Sequence, residues 1–186
     1  QTLGERPLAL KVVSKDLLHK SDAGGVMLNV TGAAAIRDGI TAIMQTVKAR
    51  VPAAAIDGVL ATPMAPKGVE LIVGVTTDPQ FGPVILFGLG GIFVETIKDV
   101  VFRAVPIARE DAAEMLGEIH FKGMLEGARG LPAVNKPALV DLLLKVSALA
   151  AAHPEITEID INPVIAHGDG YTIADARIIL GAERAG

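Results

Sequence analysis

The segment from Glu158 to Arg177 constrains the fold more than any other part of this 186-residue chain. It reads Glu158-Ile159-Asp160-Ile161-Asn162-Pro163, then His167-Gly168-Asp169-Gly170, then Ala174-Asp175-Ala176-Arg177. Apolar and polar residues alternate on both sides of a glycine-bearing turn, which is the pattern of a β-hairpin. The loop is either Gly168-Asp169 or the four residues His167 to Gly170. Both choices give the same register, with Asn162 across from Asp175 and Asp160 across from Arg177. Residues two apart on a strand share a face, so Asp160, Asn162, Asp175 and Arg177 project together. An all-oxygen cluster beside one guanidinium suits Mg²⁺ bound to a polyphosphate. The same alternation also reads as a solvated hairpin face, with cross-strand Asp/Arg pairing contributing roughly a few tenths of a kcal/mol. A loop of odd length would turn one strand over and dissolve the cluster.

Hydrophobic residues make up 51% of the chain, so it can bury a sizeable core, and with aromatics at only 3% that core is aliphatic. The length suits one large domain or two small ones. The net charge of −4 and the lack of a basic stripe argue against general nucleic-acid binding. Without cysteine there is neither a disulfide framework nor thiolate chemistry, and a cytoplasmic enzyme fits. No apolar run reaches the length of a membrane span. The start, Gln1-Thr2-Leu3-Gly4-Glu5-Arg6-Pro7, has neither the features of a signal peptide nor an initiating Met, and reads as a fragment or a processed chain.

Along the chain, Leu8 to Val13 reads as a strand carrying Lys11, and Val26 to Val30 as a second strand after a polar, glycine-closed connection. Thr31 is the expected N-cap of a helix from about Ala33 to Lys48, with Ile36, Ile40, Ile43, Met44 and Val47 as its apolar stripe. Gly58 to Met64 is a strand interrupted by Pro63, and Pro66-Lys67-Gly68 is a turn. Val69 to Thr76 and Pro83 to Phe87 form a hairpin around Asp78-Pro79-Gln80-Phe81-Gly82. Gly88-Leu89-Gly90-Gly91 reads as a tight loop, Ile92 to Ile107 as extended chain with Glu95, Asp99 and Arg103 as polar insertions. Glu110 to His120 and Pro137 to His153 read as helices. Strands dominate the middle and helices come later, so the class is α+β.

A second constellation lies near the N-terminus: Lys11, then His19-Lys20-Ser21-Asp22, then Gly24-Gly25. A strand lysine near a glycine-rich loop can neutralise phosphate charge while backbone N–H groups approach closely. There is no G-x-x-x-x-G-K-[ST] motif, and a Gly-Gly pair by itself marks a turn. His19, with a reference pKa near ~6.5, is mostly neutral and nucleophilic at pH 7, and Lys20 beside it favours that neutral form. A solvated loop histidine is the plainer reading of the same residues.

Together these runs resemble the ATP-grasp domain of ADP-forming (NDP-forming) acyl-CoA synthetases, relatives of the succinyl-CoA synthetase β subunit. The resemblance rests on Lys11…Ser14-x-Asp16…His19-Lys20-Ser21-Asp22-x-Gly24-Gly25-Val26 and on Gly68-Val69-Glu70-Leu71-Ile72-Val73-Gly74. It continues through Asp78-Pro79-x-Phe81-Gly82-Pro83, Gly88-x-Gly90-Gly91-x-x-x-Glu95-x-x-x-Asp99-Val100 and the tail hairpin, and so covers about Pro7 to Leu180. It implies an ATP-grasp fold with a truncated small lobe, residues 1–66, and a larger lobe, residues 67–186, built on a mostly antiparallel sheet with flanking helices. It also implies interconversion of acyl-CoA, phosphate and ADP with a carboxylic acid, CoA and ATP through phosphohistidine. By position, His19 matches the family's second, ATP-grasp histidine. Lys11, Gly24 and Gly25 match phosphate contacts, Met64 the inter-lobe hinge near adenine with Glu70 just beyond. Asn162 and Asp175 match Mg²⁺ ligands with Asp160 close by, and Arg177 meets phosphate oxygens.

The family's domain begins with a strand and helix before the Lys11 strand, most of which is missing here, so an uncovered sheet edge is expected. The CoA-binding, phosphohistidine-bearing part is also missing. The expected partners are therefore that domain or subunit and a small-molecule nucleotide, not nucleic acid or membrane, and alone the chain at most binds ATP/ADP with Mg²⁺. Two alternatives stand beside this: a non-catalytic regulatory or scaffold module of a multidomain protein acetyltransferase, and an ATP-grasp ligase working through acyl phosphate without phosphohistidine. Intact Lys11, His19, Asn162 and Asp175 favour the synthetase over the first, and the His19-Lys20-Ser21-Asp22 run argues against the second.

Overall fold

Among the described residues, two sheets of three and six strands carry the fold. The computed structural model describes residues 5–17, 20–91, 99–127, 130 and 132–181, which divide into two compact units, Gln1–Met64 and Ala65–Gly186. His19 and Glu95 lie outside the described residues.

In the first unit, β1 (Leu8–Val13) lies between β2 (Val26–Val30) and β3 (Gly58–Pro63), antiparallel to both. Leu10 and Val12 point into an aliphatic cluster with Ile43 and Val47 of α1 (Ala33–Arg50). Lys11, half-buried, therefore faces the other side of the sheet, opposite Val26 and Leu60. The N-cap of α1 is Gly32 rather than Thr31, and no side chain caps it. The Gly32 carbonyl accepts the Ile36 N–H at 3.0 Å, so the backbone alone starts this helix. Pro63 is the last residue of β3 rather than an interruption, which spares the ladder a missing donor.

The second unit carries β4 (Val69–Asp78), β5 (Gly82–Leu89), β6 (Val100–Ala104), α2 (Arg109–Glu118), a 3₁₀ turn (Lys122–Met124), α3 (Lys136–Ala152), β7 (Ile156–His167), β8 (Gly170–Ile173) and β9 (Ala176–Leu180). The sheet runs β6-β5-β4-β7-β8, and β9 also pairs with β7. Every one of these pairings is antiparallel. Gly88 and Leu89, expected in a loop, belong to β5, where Gly88 pairs with Ile72 and Val100. Of the extended stretch expected over Ile92–Ile107, β6 accounts for Val100–Ala104, and Ile92–Lys98 lies outside the described residues.

One face of this sheet is the core. Val69, Leu71, Val73 and Val75 of β4, with Ile85, Phe87 and Leu89 of β5, pack against Met115 and Leu116 of α2 and Leu139, Leu142, Leu143 and Val146 of α3. Fully burying each such side chain contributes roughly 1.5–3 kcal/mol. The α3 helix begins at Asn135, whose side chain accepts the Ala138 N–H at 3.0 Å, with Pro137 in its first turn.

A buried carboxylate closes the turn after α2. Asp99 is 3% exposed, and its oxygens accept the backbone N–H of His120 at 2.7 Å and of Phe121 at 3.0 Å. The His120 ring Nδ1 lies 3.1 Å away, while the rest of that side chain is 88% exposed. Burial pushes the Asp99 carboxyl up, but these hydrogen bonds outweigh it and hold the group below its ordinary 3.8.

Candidate functional site

The tail hairpin has the expected register. A two-residue turn, Gly168-Asp169, joins His167 to its partner Gly170, and the pairing continues to Asp160 opposite Arg177. The Asn162 N–H donates to the Asp175 carbonyl at 3.2 Å, and the Ala174 N–H to the Pro163 carbonyl at 3.0 Å. The Asn162–Pro163 peptide is cis. Proline has no N–H for the ladder, and here the pairing of β7 with β4 shifts, so that Asn162 and Pro163 together oppose Ile72.

The sheet face turned away from α2 and α3 changes character along one row. Cross-strand pairing aligns Phe102 of β6, Leu86 of β5, Gly74 of β4, Asp160 of β7 and Arg177 of β9. The row thus runs from apolar to charged, with a glycine at the change. Glu158, opposite Thr76, shares the charged end. Arg177 forms an ion pair with Glu158 through its Nη2, which also lies 3.9 Å from Asp160. The side chains of Arg177 and Asp160 are each only 28% exposed. The Arg177 Nε is buried without a hydrogen-bond partner. The guanidinium expected at phosphate oxygens is therefore held by Glu158, a residue whose reach sequence reasoning missed. The i, i+2 spacing of Glu158 and Asp160 on one strand is the signal that could have found it.

The donor set fits a hard cation. Asp160 and Asp175 carry carboxylate oxygens and Asn162 an amide oxygen, the ligand type of a hard cation, whereas the buried Arg177 Nε is a donor without an acceptor and suits an anion. Among the described residues, no three or more His, Cys, Asp or Glu side chains gather as a metal cluster. Of the three residues expected to hold the metal, Asn162 is exposed and Asp160 and Asp175 are half-buried.

In the first unit, Lys11 and the Gly24-Gly25 turn meet through the neighbouring residue, since the Val12 N–H donates to the Gly25 carbonyl at 2.7 Å. The two glycine amides are already used. Gly24 N–H donates to Ser21 at 2.9 Å and Gly25 N–H to Lys20 at 2.7 Å, so neither is aimed outward as an anion donor. The glycines are needed sterically. Gly24 has φ +70°, and a Cβ on Gly25 would lie 2.3 Å from Val12 Cγ1. Asp16 and Arg50 pin the loop's two ends, Asp16 Oδ2 accepting the Ala55 N–H and Arg50 Nη1 donating to the Asp22 carbonyl, both at 2.8 Å.

Met64 follows β3 and is half-buried, its N–H donating to Pro7 at 3.1 Å. Glu70, exposed near the start of β4, has its carboxylate against Gly91, where a Cβ would lie 2.6 Å from Oε2. Its carbonyl accepts the Gly90 N–H at 2.8 Å. Among the described residues, no helix is long and apolar enough to cross a membrane.

Comparison with known proteins follows the same residues. The family model of the ATP-grasp domain matches residues 2–180. The chain is 50% identical over 174 residues to the β subunit of ADP-forming acetate–CoA ligase I from Pyrococcus furiosus, covering 94% of this chain and 75% of that subunit. It is 49% identical to ADP-forming acetate–CoA ligase I of Archaeoglobus fulgidus, covering 95% of this chain but only 26% of that protein. Among solved structures, it resembles a dinucleotide-forming acetyl-coenzyme A synthetase 1 of Ca. Korarchaeum cryptofilum in complex with coenzyme A and Ca-AMPCP. The TM-score is 0.89 at 44% identity, over 94% of this chain and 76% of that one. A second structure of that synthetase, with Mg-AMPPCP and its phosphohistidine segment pointing towards the nucleotide-binding site, matches with a TM-score of 0.79 at 40% identity, over 95% of this chain and 78% of that one.

Proposed function

We propose, from the premise that the chain belongs to the ATP-grasp family and is the ATP-grasp portion of an ADP-forming acetate–CoA ligase, that it transfers a phosphoryl group between a phosphohistidine and ADP. The observation that supports this reading is the hairpin register, which sets Asp160 across from Arg177 and joins Asn162 to Asp175 through the backbone.

In this proposal residues 1–66 form the small lobe and 67–186 the large one. Asp160, Asn162 and Asp175 hold Mg²⁺, which when bound neutralises nucleotide phosphate charge. Lys11 meets the phosphates as a point charge from its strand. Gly24 and Gly25 shape the turn that follows it, their amides being spent within the loop. Met64 stands at the hinge near the adenine, with Glu70 just beyond. Arg177, held by Glu158, keeps a positive charge at the phosphate side while its Nε offers a further donor. Such transfers need positioning and charge compensation more than covalent chemistry from the protein.

His19 serves as the histidine relay. Its ring nitrogen takes the phosphoryl group as the P–N bond to the incoming phosphohistidine breaks, and passes it to a terminal ADP oxygen as the new P–O bond forms. The incoming group belongs to a CoA-binding partner domain or subunit. The β-subunit name of the Pyrococcus relative and the much longer single chain of the Archaeoglobus one support such a partner. A cysteine-free chain suits the reducing cytoplasm.

Calorimetric ADP titrations of the full ligase with and without Mg²⁺ test the nucleotide site. Binding that ignores Mg²⁺ would overturn the site and favour a non-catalytic module. For the relay, radiolabelled phosphoryl transfer is followed in the wild type and in His19→Ala. An undiminished relay in the variant removes His19 from the mechanism.

A further inference from the structure

Phe81 is the most conspicuous residue that the nucleotide site does not use. The chain has five phenylalanines, one tyrosine and no tryptophan, yet Phe81 is 71% exposed. It stands at the tip of the β4–β5 hairpin, and that tip is built rather than loose. Asp78 Oδ1 accepts the N–H of Gln80 at 2.8 Å and of Phe81 at 2.9 Å. Pro79 and Pro83 restrict the backbone on either side, and Gly82, at φ +74°, makes the left-handed step that closes the turn against Asp78. The two strands below are interior to the sheet. The Asp78 carboxylate is taken up in capping the turn, and Pro79, Gln80, Phe81 and Pro83 are uncharged.

We propose that Phe81 is the docking anchor for the partner domain or subunit that brings the phosphoryl-bearing histidine, seated in an apolar socket on that partner. The proposal rests on the phosphoryl-transfer reading above. The position favours this occupant. Along β4, the tip begins four residues beyond Gly74, which is cross-strand neighbour to Asp160. That is about 13 Å at 3.3 Å per residue. A partner gripping the tip stands beside the charged row without filling it. This chain covers only 26% of the single-chain Archaeoglobus ligase but 75% of the Pyrococcus β subunit, so most of the longer relative lies beyond its β-like portion and is available as such a partner. A rigid aromatic loses little conformational freedom on docking, which is the usual character of an interface hot spot. The tip has no lysine or arginine with which to hold a membrane surface.

The test places a benzophenone amino acid at position 81 of the full ligase, irradiates it, and maps the cross-linked peptides by mass spectrometry. Cross-links into the CoA-binding domain or subunit are expected. Cross-links confined to a second copy of this ATP-grasp portion, or none, would overturn the proposal. In parallel, Phe81→Asp is expected to slow overall acyl-CoA turnover at least about tenfold while Mg²⁺-dependent ADP binding stays within about twofold, and Phe81→Leu to retain most turnover. Unchanged turnover in Phe81→Asp, or equal loss of ADP binding, would also overturn it. Failure of the wild type to bind ADP in a Mg²⁺-dependent way would instead sink the nucleotide-site reading and leave the cross-linking result to be judged by itself.

Discussion

Asp99 and Asp160 are two carboxylates in one structural unit, held in opposite surroundings. Asp99 is almost wholly buried, with both oxygens occupied by backbone N–H groups of His120 and Phe121. The Asp160 side chain is 28% exposed, with the Arg177 guanidinium 3.9 Å away and itself paired with Glu158. A carboxylate saturated by amides holds a fold together. One flanked by charges and only partly buried sits in quite different surroundings. Composition and charge cannot separate the two, but burial and donor geometry do.

Breaking each in turn sharpens the contrast. The largest effect is expected at the tail hairpin, where Asp160→Ala should weaken Mg²⁺-dependent ADP binding on the order of 100-fold, read by calorimetry, with little change in melting temperature. Lys11→Met comes next. Loss of one charged contact to phosphate should weaken nucleotide binding about tenfold, with or without Mg²⁺, which distinguishes a phosphate contact from a metal ligand.

Asp99→Ala should do the reverse. Two amide donors lose their acceptor, a cost of about 2 kcal/mol and so roughly a 5 °C fall in melting temperature. Mg²⁺-dependent ADP binding should hold. The acid limb carries a further signature. The folded Asp99 carboxyl titrates below its ordinary 3.8. Its stabilisation is therefore complete above the unfolded value and is lost as the pH falls through the lower, folded one. Urea midpoints of Asp99→Asn between pH 2 and 5 should show a shallower acid decline than the wild type. A parallel decline would mean that Asp99 is not the titrating anchor.

The smallest effect concerns Glu158→Gln. Releasing Arg177 from Glu158 lets it settle on Asp160, so the Mg²⁺ concentration needed for half-maximal ADP binding should rise about threefold. Combining it with Arg177→Met should remove that rise.

What was legible in the sequence follows the range of the interactions. The tail register could be read because side chains alternate with a period of two and a two-residue turn leaves one pairing. Asp160 opposite Arg177 then follows by counting. The α3 helix was read from Pro137 to His153 and runs Lys136–Ala152, its Asn135 cap appearing only in the structure. The start of α1 was not legible, since Gly32 caps with its carbonyl and Thr31 only looks the part. Contacts between distant or diagonal residues were invisible. Asp99 finds its donors 21 and 22 residues away, and Arg177 passes over its direct partner for Glu158. The amides of Gly24 and Gly25 looked like anion donors until Ser21 and Lys20 proved to be their acceptors.

The central claim is that the tail hairpin holds the metal of a bound nucleotide. Asp175→Ala tests it most directly, in paired ADP titrations of the full ligase in excess Mg²⁺ and in EDTA. The wild type should bind more tightly in Mg²⁺, and Asp175→Ala should bind equally in both and as weakly as the wild type in EDTA. A variant that keeps the full Mg²⁺ increment would contradict the account.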